Sequence, residues 1–308
     1  MLLETRCDTL SLPDFLRELP HSRVILETTA EAFRIADTAK AVGHEVRVVP
    51  ATLVRTLGVG ARKTKTDRRD AQVLSQVSCR IDLPSVHIPS SRSREWKAIC
   101  GMHDVLTSSR TKLLNNLRGW LRGQGIAPGT RRTLARRMSE LESLPIYVQS
   151  QLKMIAALTE EIRESDKRIA QLASADEVCL RLMSTPGVGP STAARFVAAL
   201  DDITRFASAH RVEAYLGLAP GESSSSERQQ RLGITKAGPT SVRWVLVQAA
   251  WALRFRCRTA AARPLQCWAL EVEKRRGRRI ATIALARKLA GILYALWRDG
   301  TTYEVRSR

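Results

Sequence analysis

The chain has 308 residues, 44% of them hydrophobic, with 50 Lys and Arg against 30 Asp and Glu and a net charge of +20. That length holds two domains or three smaller units around a sizeable core, and that charge implies a polyanionic partner, nucleic acid first. Six cysteines without a C-x-x-C pair and five scattered histidines exclude a zinc cluster and predict free thiols in a reducing cytosol. No signal peptide is expected, and Arg287-Lys288 interrupts the longest apolar run, 280–297. A cytoplasmic protein with no membrane partner is therefore expected.

Residues 2–6 read as a short strand and 12–19 as a helix. Arg23-Val24-Ile25-Leu26 reads as a buried strand with Glu27 at its carboxyl end. Thr28-x-x-Glu31 has the form of a capping box for a helix that ends at Gly43. Residues 46–49 read as a second strand, stopped by Pro50. Strand, helix and strand at this spacing predict a parallel pair with a right-handed crossover. Sites in such sheets form at the carboxyl ends of strands, so Glu27 is a candidate catalytic acid or else an ordinary loop glutamate.

The run from Lys63 to Ala71 is the most informative stretch. Thr66 has the character of an N-cap, and the helix continues through Ala71, Leu74 and Val77. Asp67 and Asp70 lie three apart, on one helix face, and the apolar stripe continues that face inward. A buried carboxylate left without a partner costs several kcal/mol, and a divalent metal is an efficient partner. The alternative is that both acids are solvated and complement the helix dipole.

Residues 84–93 read as a polar linker and 94–123 as a helix with Leu106, Leu113, Leu117 and Trp120 on one stripe. A break at 123–130 and a basic turn follow. Ile155, Leu158, Ile162, Ile169 and Leu172 keep 3–4 spacing, which predicts a short coiled coil over 148–173. It pairs either with another chain or with its own domain.

Pro186-Gly187-Val188-Gly189 between two helices resembles a helix–hairpin–helix, in which Gly187 and Gly189 let backbone amides approach a phosphate. Residues 241–255 read as an amphipathic helix. Lys274, Arg275, Arg276, Arg278 and Arg279 put five cations in six positions, a phosphate contact or a solvated helix end. A last helix, 280–297, closes the core.

Two stretches carry a specific resemblance. "VILETTAEAF", "GHEVRVVP" and "KTKTDRRDAQVL" are similar to the DEDD-type insertion-sequence transposases, a family related to Piv-type DNA invertases. In that family the N-terminal domain resembles the RuvC junction resolvase. The second match runs through Phe206, Ala214-Tyr215, Gly217-Leu218, Pro220, Ser223 to Ser226, Thr235-Lys236-Ala237-Gly238 and Arg243. The resemblance covers nearly the whole chain. It implies an α/β plus mostly α fold. Residues 1–92 form an RNase-H-like (RuvC-like) DEDD domain lacking its first strands, 93–176 a helical and coiled-coil linker, and 177–308 a C-terminal transposase domain with helix–hairpin–helix and serine loop.

The same resemblance implies Mg²⁺ held by Glu27, Asp67 and Asp70, and a nucleophilic Ser225, with Ser224 as the fallback. Four serines alone would otherwise read as a flexible linker. Lys236, Arg228 and Arg243 bring positive charge to the phosphate side of this segment. The implied partners are DNA, an element-encoded bridge RNA and further copies of the chain as a dimer or tetramer. The family's first Asp has no counterpart, which predicts a frame that starts upstream or an inactive, truncated copy. Three functions remain open on sequence: a metal-supported serine recombinase, a hydrolytic RuvC-like junction nuclease, and a non-catalytic nucleic-acid-binding remnant.

Overall fold

A computed structural model describes residues 7–8, 10–56, 67–139, 141, 143–225 and 228–305. The chain divides into two compact units, Met1–Ser90 and Ser91–Arg308. The strand expected at 2–6 and the N-cap expected at Thr66 lie outside the described residues.

The first unit contains α1 (Leu12–Glu18), β1 (Arg23–Glu27), α2 (Ala32–Ala41), β2 (Glu45–Val49), α3 (Ala51–Thr56) and α4 (Asp67–Ser78). β1 and β2 pair in parallel, from Arg23 opposite Glu45 to Glu27 opposite Val49. α2 contributes Ala32, Ala36 and Ala39 to the interior. Methyl side chains let a helix lie close to a sheet, and Ala32 and Ala36 pack with Val48. His44, buried beside them, takes the Ser22 amide on Nδ1 at 3.2 Å and faces Leu16 O with Nε2 at 2.8 Å. An accepting Nδ1 leaves the proton on Nε2 for that carbonyl.

Two local expectations are corrected here. The capping box is not formed, because Thr28 donates both its amide and its hydroxyl to Val49 O, at 3.0 and 2.9 Å. It extends the ladder, and Glu31 precedes α2 without a side-chain cap. The polar linker is not free of the sheet: its first part is hydrogen-bonded to β2 without forming a strand. The Val86 amide donates to Val48 O at 2.8 Å, and the Val48 amide to Ser85 Oγ at 3.0 Å. Val86 and Ile88 then pack on the α2 side.

The second unit is mostly helical: α5 (Ser91–Gly123), α6 (Arg131–Ser139), α7 (Ile146–Ser174), α8 (Glu177–Met183), α9 (Pro190–Leu200), α10 (Ala209–Tyr215), β3 (Pro220–Ser225), β4 (Arg228–Ile234), α11 (Thr240–Phe255), α12 (Arg263–Arg276) and α13 (Arg278–Asp299). α5 has 33 residues, about 50 Å of helix, and packs along α7. Their far end is closed by α6 through Leu117, Leu121, Leu134, Met138 and Val148. The α7 stripe is consumed within the chain: Ile169 joins Trp96 and Cys100 of α5 in the main core.

α9 is the centre of this unit. Every residue from Thr192 to Leu200 is buried, and α5, α7, α8 and α11 surround it. A helix buried on all sides needs small residues where neighbours come close, and four alanines in α9 supply them. α8 starts at Asp176, whose side chain accepts from the Cys179 amide at 2.7 Å and pairs with Arg92 of α5.

α13 is long and apolar enough to cross a bilayer by length and composition, which the interruption at Arg287-Lys288 had seemed to forbid. Its apolar side is spent on the core, through Leu285, Leu289, Leu293 and Tyr294. The two cations have local partners, Arg287 on Glu213 and Lys288 over the Trp268 ring at 4.5 Å.

Candidate functional site

Glu27 is the last residue of β1 and is half-buried. α4 packs against β1, with Leu74 and Val77 meeting Ile25. This sets the helix that carries the aspartates beside the strand that ends in Glu27. Asp70 is only 6% exposed and shares its face with Leu74 and Val77. Ala71, expected on that stripe, is exposed, because one residue further turns the side chain by about 100°. Asp67 opens α4 one turn before Asp70; its side chain lies outside the described part of the structure. Among the described residues no group of three or more His, Cys, Asp or Glu gathers. Glu27 and Asp70 offer carboxylate oxygens only, the donor chemistry of a hard divalent cation.

In the second unit the Ser-rich segment is not the expected loop. Residues 220–225 form β3, paired antiparallel with β4, with Ser223 opposite Gln230, Ser224 opposite Gln229 and Ser225 opposite Arg228. A bulge lies between Pro220 and Glu222. Backbone pairing needs no apolar side chains, so a polar serine run can enter a ladder. Ser225 is the last β3 residue before the hairpin tip; its side chain and all of Ser226 lie outside the described part.

A two-stranded ribbon is marginal by itself, so its base matters. Here the base is two interlocked turns. The Thr235 amide donates to Ala219 O at 2.9 Å and the Lys236 amide to Gly217 O at 3.1 Å. Gly217 (φ 69°) faces the Ala237 backbone and Gly238 (φ 88°) faces Tyr215 O. A Cβ at Gly217 would collide with the Ala237 backbone and the Arg243 guanidinium, and one at Gly238 with Tyr215 O. Arg243 is tied into this base, donating to Leu216 O at 3.0 Å, Ala237 O at 3.3 Å and Thr240 Oγ1 at 3.2 Å. Lys236 is exposed and holds a φ of 57°, a left-handed backbone that costs a side-chain-bearing residue roughly 1–2 kcal/mol.

The turn before α9 is built for packing. Gly187 (φ 83°) leaves room for α11, where a Cβ would lie 2.8 Å from Ala249 O and 2.9 Å from Leu253 Cβ. Gly189 is extended and open. At the α9 N-terminus Pro190 has no amide proton, and Thr192 and Ala193 donate to Gly189 O. The basic run straddles a break at Gly277, between α12 and α13. Lys274 pairs with Glu271 at 2.8 Å, a hydrogen bond that holds its ammonium above the usual lysine range. Arg276 and Arg279 are exposed.

Sequence reading missed one buried network. Arg195 of α9 is 3% exposed. It donates to Asp104 Oδ2 at 2.8 Å, Cys100 O at 3.2 Å, Ser191 Oγ at 3.2 Å and His103 Nδ1 at 3.2 Å, and also to Ser241. His103 Nε2 faces Asp166 at 3.0 Å. A guanidinium pointing at Nδ1 makes that nitrogen the acceptor and leaves the Nε2 proton for Asp166. Four helices are joined through one arginine. A lone Arg in an alanine-rich apolar helix was the available signal.

A DEDD transposase family model of the IS110 type matches residues 7–125, and one described as the transposase IS116/IS110/IS902 family matches residues 179–266. The chain belongs to this IS110/IS116 transposase family. It is 31% identical to a protein of Pseudomonas aeruginosa named a probable family 20 transposase, over 94% of this chain and 88% of that one. It is 30% identical to the transposase for insertion sequence element IS1111A of Coxiella burnetii, over 79% and 69% of the two chains. The transposase for IS1328 of Yersinia enterocolitica is 28% identical over 98% and 91%.

Proposed function

We propose that this transposase moves its element by metal-supported serine strand transfer. Ser225 Oγ attacks a DNA phosphorus, a serine–phosphate ester forms, and a deoxyribose oxygen leaves; the reverse step reseals the strand. The observation that carries this reading is the hairpin base. Gly217, Gly238 and Arg243 fix the base of the ribbon whose far end carries Ser225, and Arg228 stands opposite Ser225 in the ladder and brings a cation to that end. Such a charge opposes that of the phosphate.

Glu27, Asp67 and Asp70 are the residues that would hold Mg²⁺, within a RuvC-like, RNase-H-like first domain. Mg²⁺ there would supply Lewis-acid charge to a phosphoryl oxygen. The α8–α9 turn, as a helix–hairpin–helix, and the cations at 274–279 grip backbone phosphates and read no bases. Sequence choice is then left to a bridge RNA paired with donor and target DNA, and the working form is a dimer or tetramer. The three-part organisation 1–92, 93–176 and 177–308 belongs to the same reading.

The test supplies DNA and guide RNA and looks for a covalent adduct that survives denaturation. Ser225→Ala is expected to abolish the adduct and leave binding intact. Ser224→Ala is expected to retain most of it. Asp70→Asn is expected to abolish it, since a neutral amide is a poor Mg²⁺ ligand. Recombination that persists in Ser225→Ala would sink the serine mechanism and favour metal-dependent hydrolysis by the acids alone. DNA binding without adduct or cleavage under every condition would favour a binding role.

A further inference from the structure

The outward face of α11 is not the polar face of an ordinary amphipathic helix. Its exposed positions are Thr240, Trp244, Gln248, Trp251 and Phe255. Steps of three and four put them on one side, over roughly 22 Å. Three of the five are aromatic, 56%, 37% and 42% exposed in that order. α11 contains no Asp or Glu. The rings of Trp251 and Phe255 lie 5.3 Å apart. Cations sit over them: Arg256 at 4.9 Å from Trp251, and Arg278 and Arg254 at 4.4 and 4.8 Å from Phe255. Arg254 is committed elsewhere, paired with Glu273 and bonded to Arg278 O at 3.0 Å, whereas Arg256 and Arg278 are exposed. Beside Trp251 a pocket of about 240 Å³ opens, lined by Gly187, Thr192, Gln248, Trp251 and Arg256.

Rows of exposed rings interleaved with guanidinium groups are the chemistry that binds unpaired bases. Each base offers a π-face to stack, and each phosphate a charge to neutralise. We infer that the α11 face is a second nucleic-acid site, which takes an unpaired DNA strand. Its bases stack on Trp244 and Trp251, and Arg256 and Arg278, seated over the rings of Trp251 and Phe255, meet its phosphates. Duplex DNA hides its base faces, so the rings select a single strand. A second copy of this chain is a poor occupant of this face, since α11 carries no carboxylate to meet the arginines. The choice of DNA over RNA rests on the transposase family. The choice of an unpaired strand rests on the rings, and neither needs Ser225 or the acids.

The test titrates the full-length chain with three strands of equal length: oligothymidylate, an abasic deoxy-strand of the same charge, and oligouridylate. Tryptophan fluorescence and anisotropy report binding. Oligothymidylate should quench the fluorescence and bind more tightly than the abasic strand. Trp251→Ala should weaken oligothymidylate roughly 5- to 150-fold while leaving the abasic strand unchanged, and Trp251→Phe should restore most of the affinity. Trp244→Ala, at the most exposed ring, repeats the test where truncating Trp251 harms folding. Ser225→Ala should bind like the unaltered chain, which separates this site from the catalytic reading. Equal affinity for oligothymidylate and abasic strands would overturn the proposal, as would tighter binding of oligouridylate. So would loss of self-association in sedimentation, with strand affinity unchanged, in Trp251→Ala and Trp244→Ala.

Discussion

Single residues carry two of the sharpest expectations. Arg195 is the buried hub of the second unit, and Asp104 is the carboxylate that offsets its charge. Asp104→Ala leaves a guanidinium buried without that carboxylate. Asp104 is itself 43% exposed, so solvent reaches this end of the network and a loss of about 1–3 kcal/mol in denaturant unfolding is expected. A loss under about 1 kcal/mol would mean that the remaining acceptors and solvent screen the charge. The cysteines give a second reading of the interior. Burial pushes the thiols of Cys100 and Cys179 up, and Asp176 adds to the shift at Cys179. In the native protein a thiol reagent should label Cys7, Cys79 and Cys267 first, and Cys100 and Cys179 only after unfolding. At this scale the sequence was legible where spacing speaks. Asp70 and Glu27 sit in the elements expected of them, Asp70 on the inner helix face and Glu27 at the strand end. The Arg195 network was not legible, because all its partners but Ser191 lie 46 to 95 residues away in sequence.

Among the elements, the hairpin with its two-turn base is the most exacting. Gly238→Ala forces a Cβ into Tyr215 O and a left-handed backbone at once. It should destabilise by more than roughly 2 kcal/mol, the upper end of the backbone cost alone. Gly189→Ala, extended and open, should stay within roughly 1 kcal/mol. Thermal melts of the two variants decide whether the glycines differ as stated. The Gly-Leu-Ala-Pro and Thr-Lys-Ala-Gly motifs were visible in the sequence, but their mutual packing was not, since neither turn is defined without the other. The serine run was misread as a loop for a related reason. Loop propensity belongs to side chains, whereas this ladder is made by backbone. The capping box failed similarly: Thr28 had two structures competing for its donors, and the strand end won.

For the whole molecule, charge outweighs every other property in choosing a partner. The +20 surplus makes binding of duplex DNA strongly salt-dependent, with log K falling by about 0.9 per phosphate neutralised. Replacing Arg275, Arg276 and Arg279 by Ala leaves Arg278 over Phe255. It should make the slope shallower by about 0.9 for each phosphate no longer neutralised. An unchanged slope would return that run to solvent. Composition alone was enough to foresee the partner class. It could not foresee how the helices share their apolar faces, and the α7 stripe shows why. Periodicity marks a face as buried without naming what covers it. The fully buried α9 has a further consequence, in time. Phe196 finds Trp297 only after about 100 more residues have been made. At 5–20 residues per second that is a wait of roughly 5–20 s. During it the helix has α5, α7 and α8 against it and still lacks the Trp297 ring that closes the core over Phe196. A copy of the gene interrupted before α13 should therefore yield aggregate and not a weakened transposase.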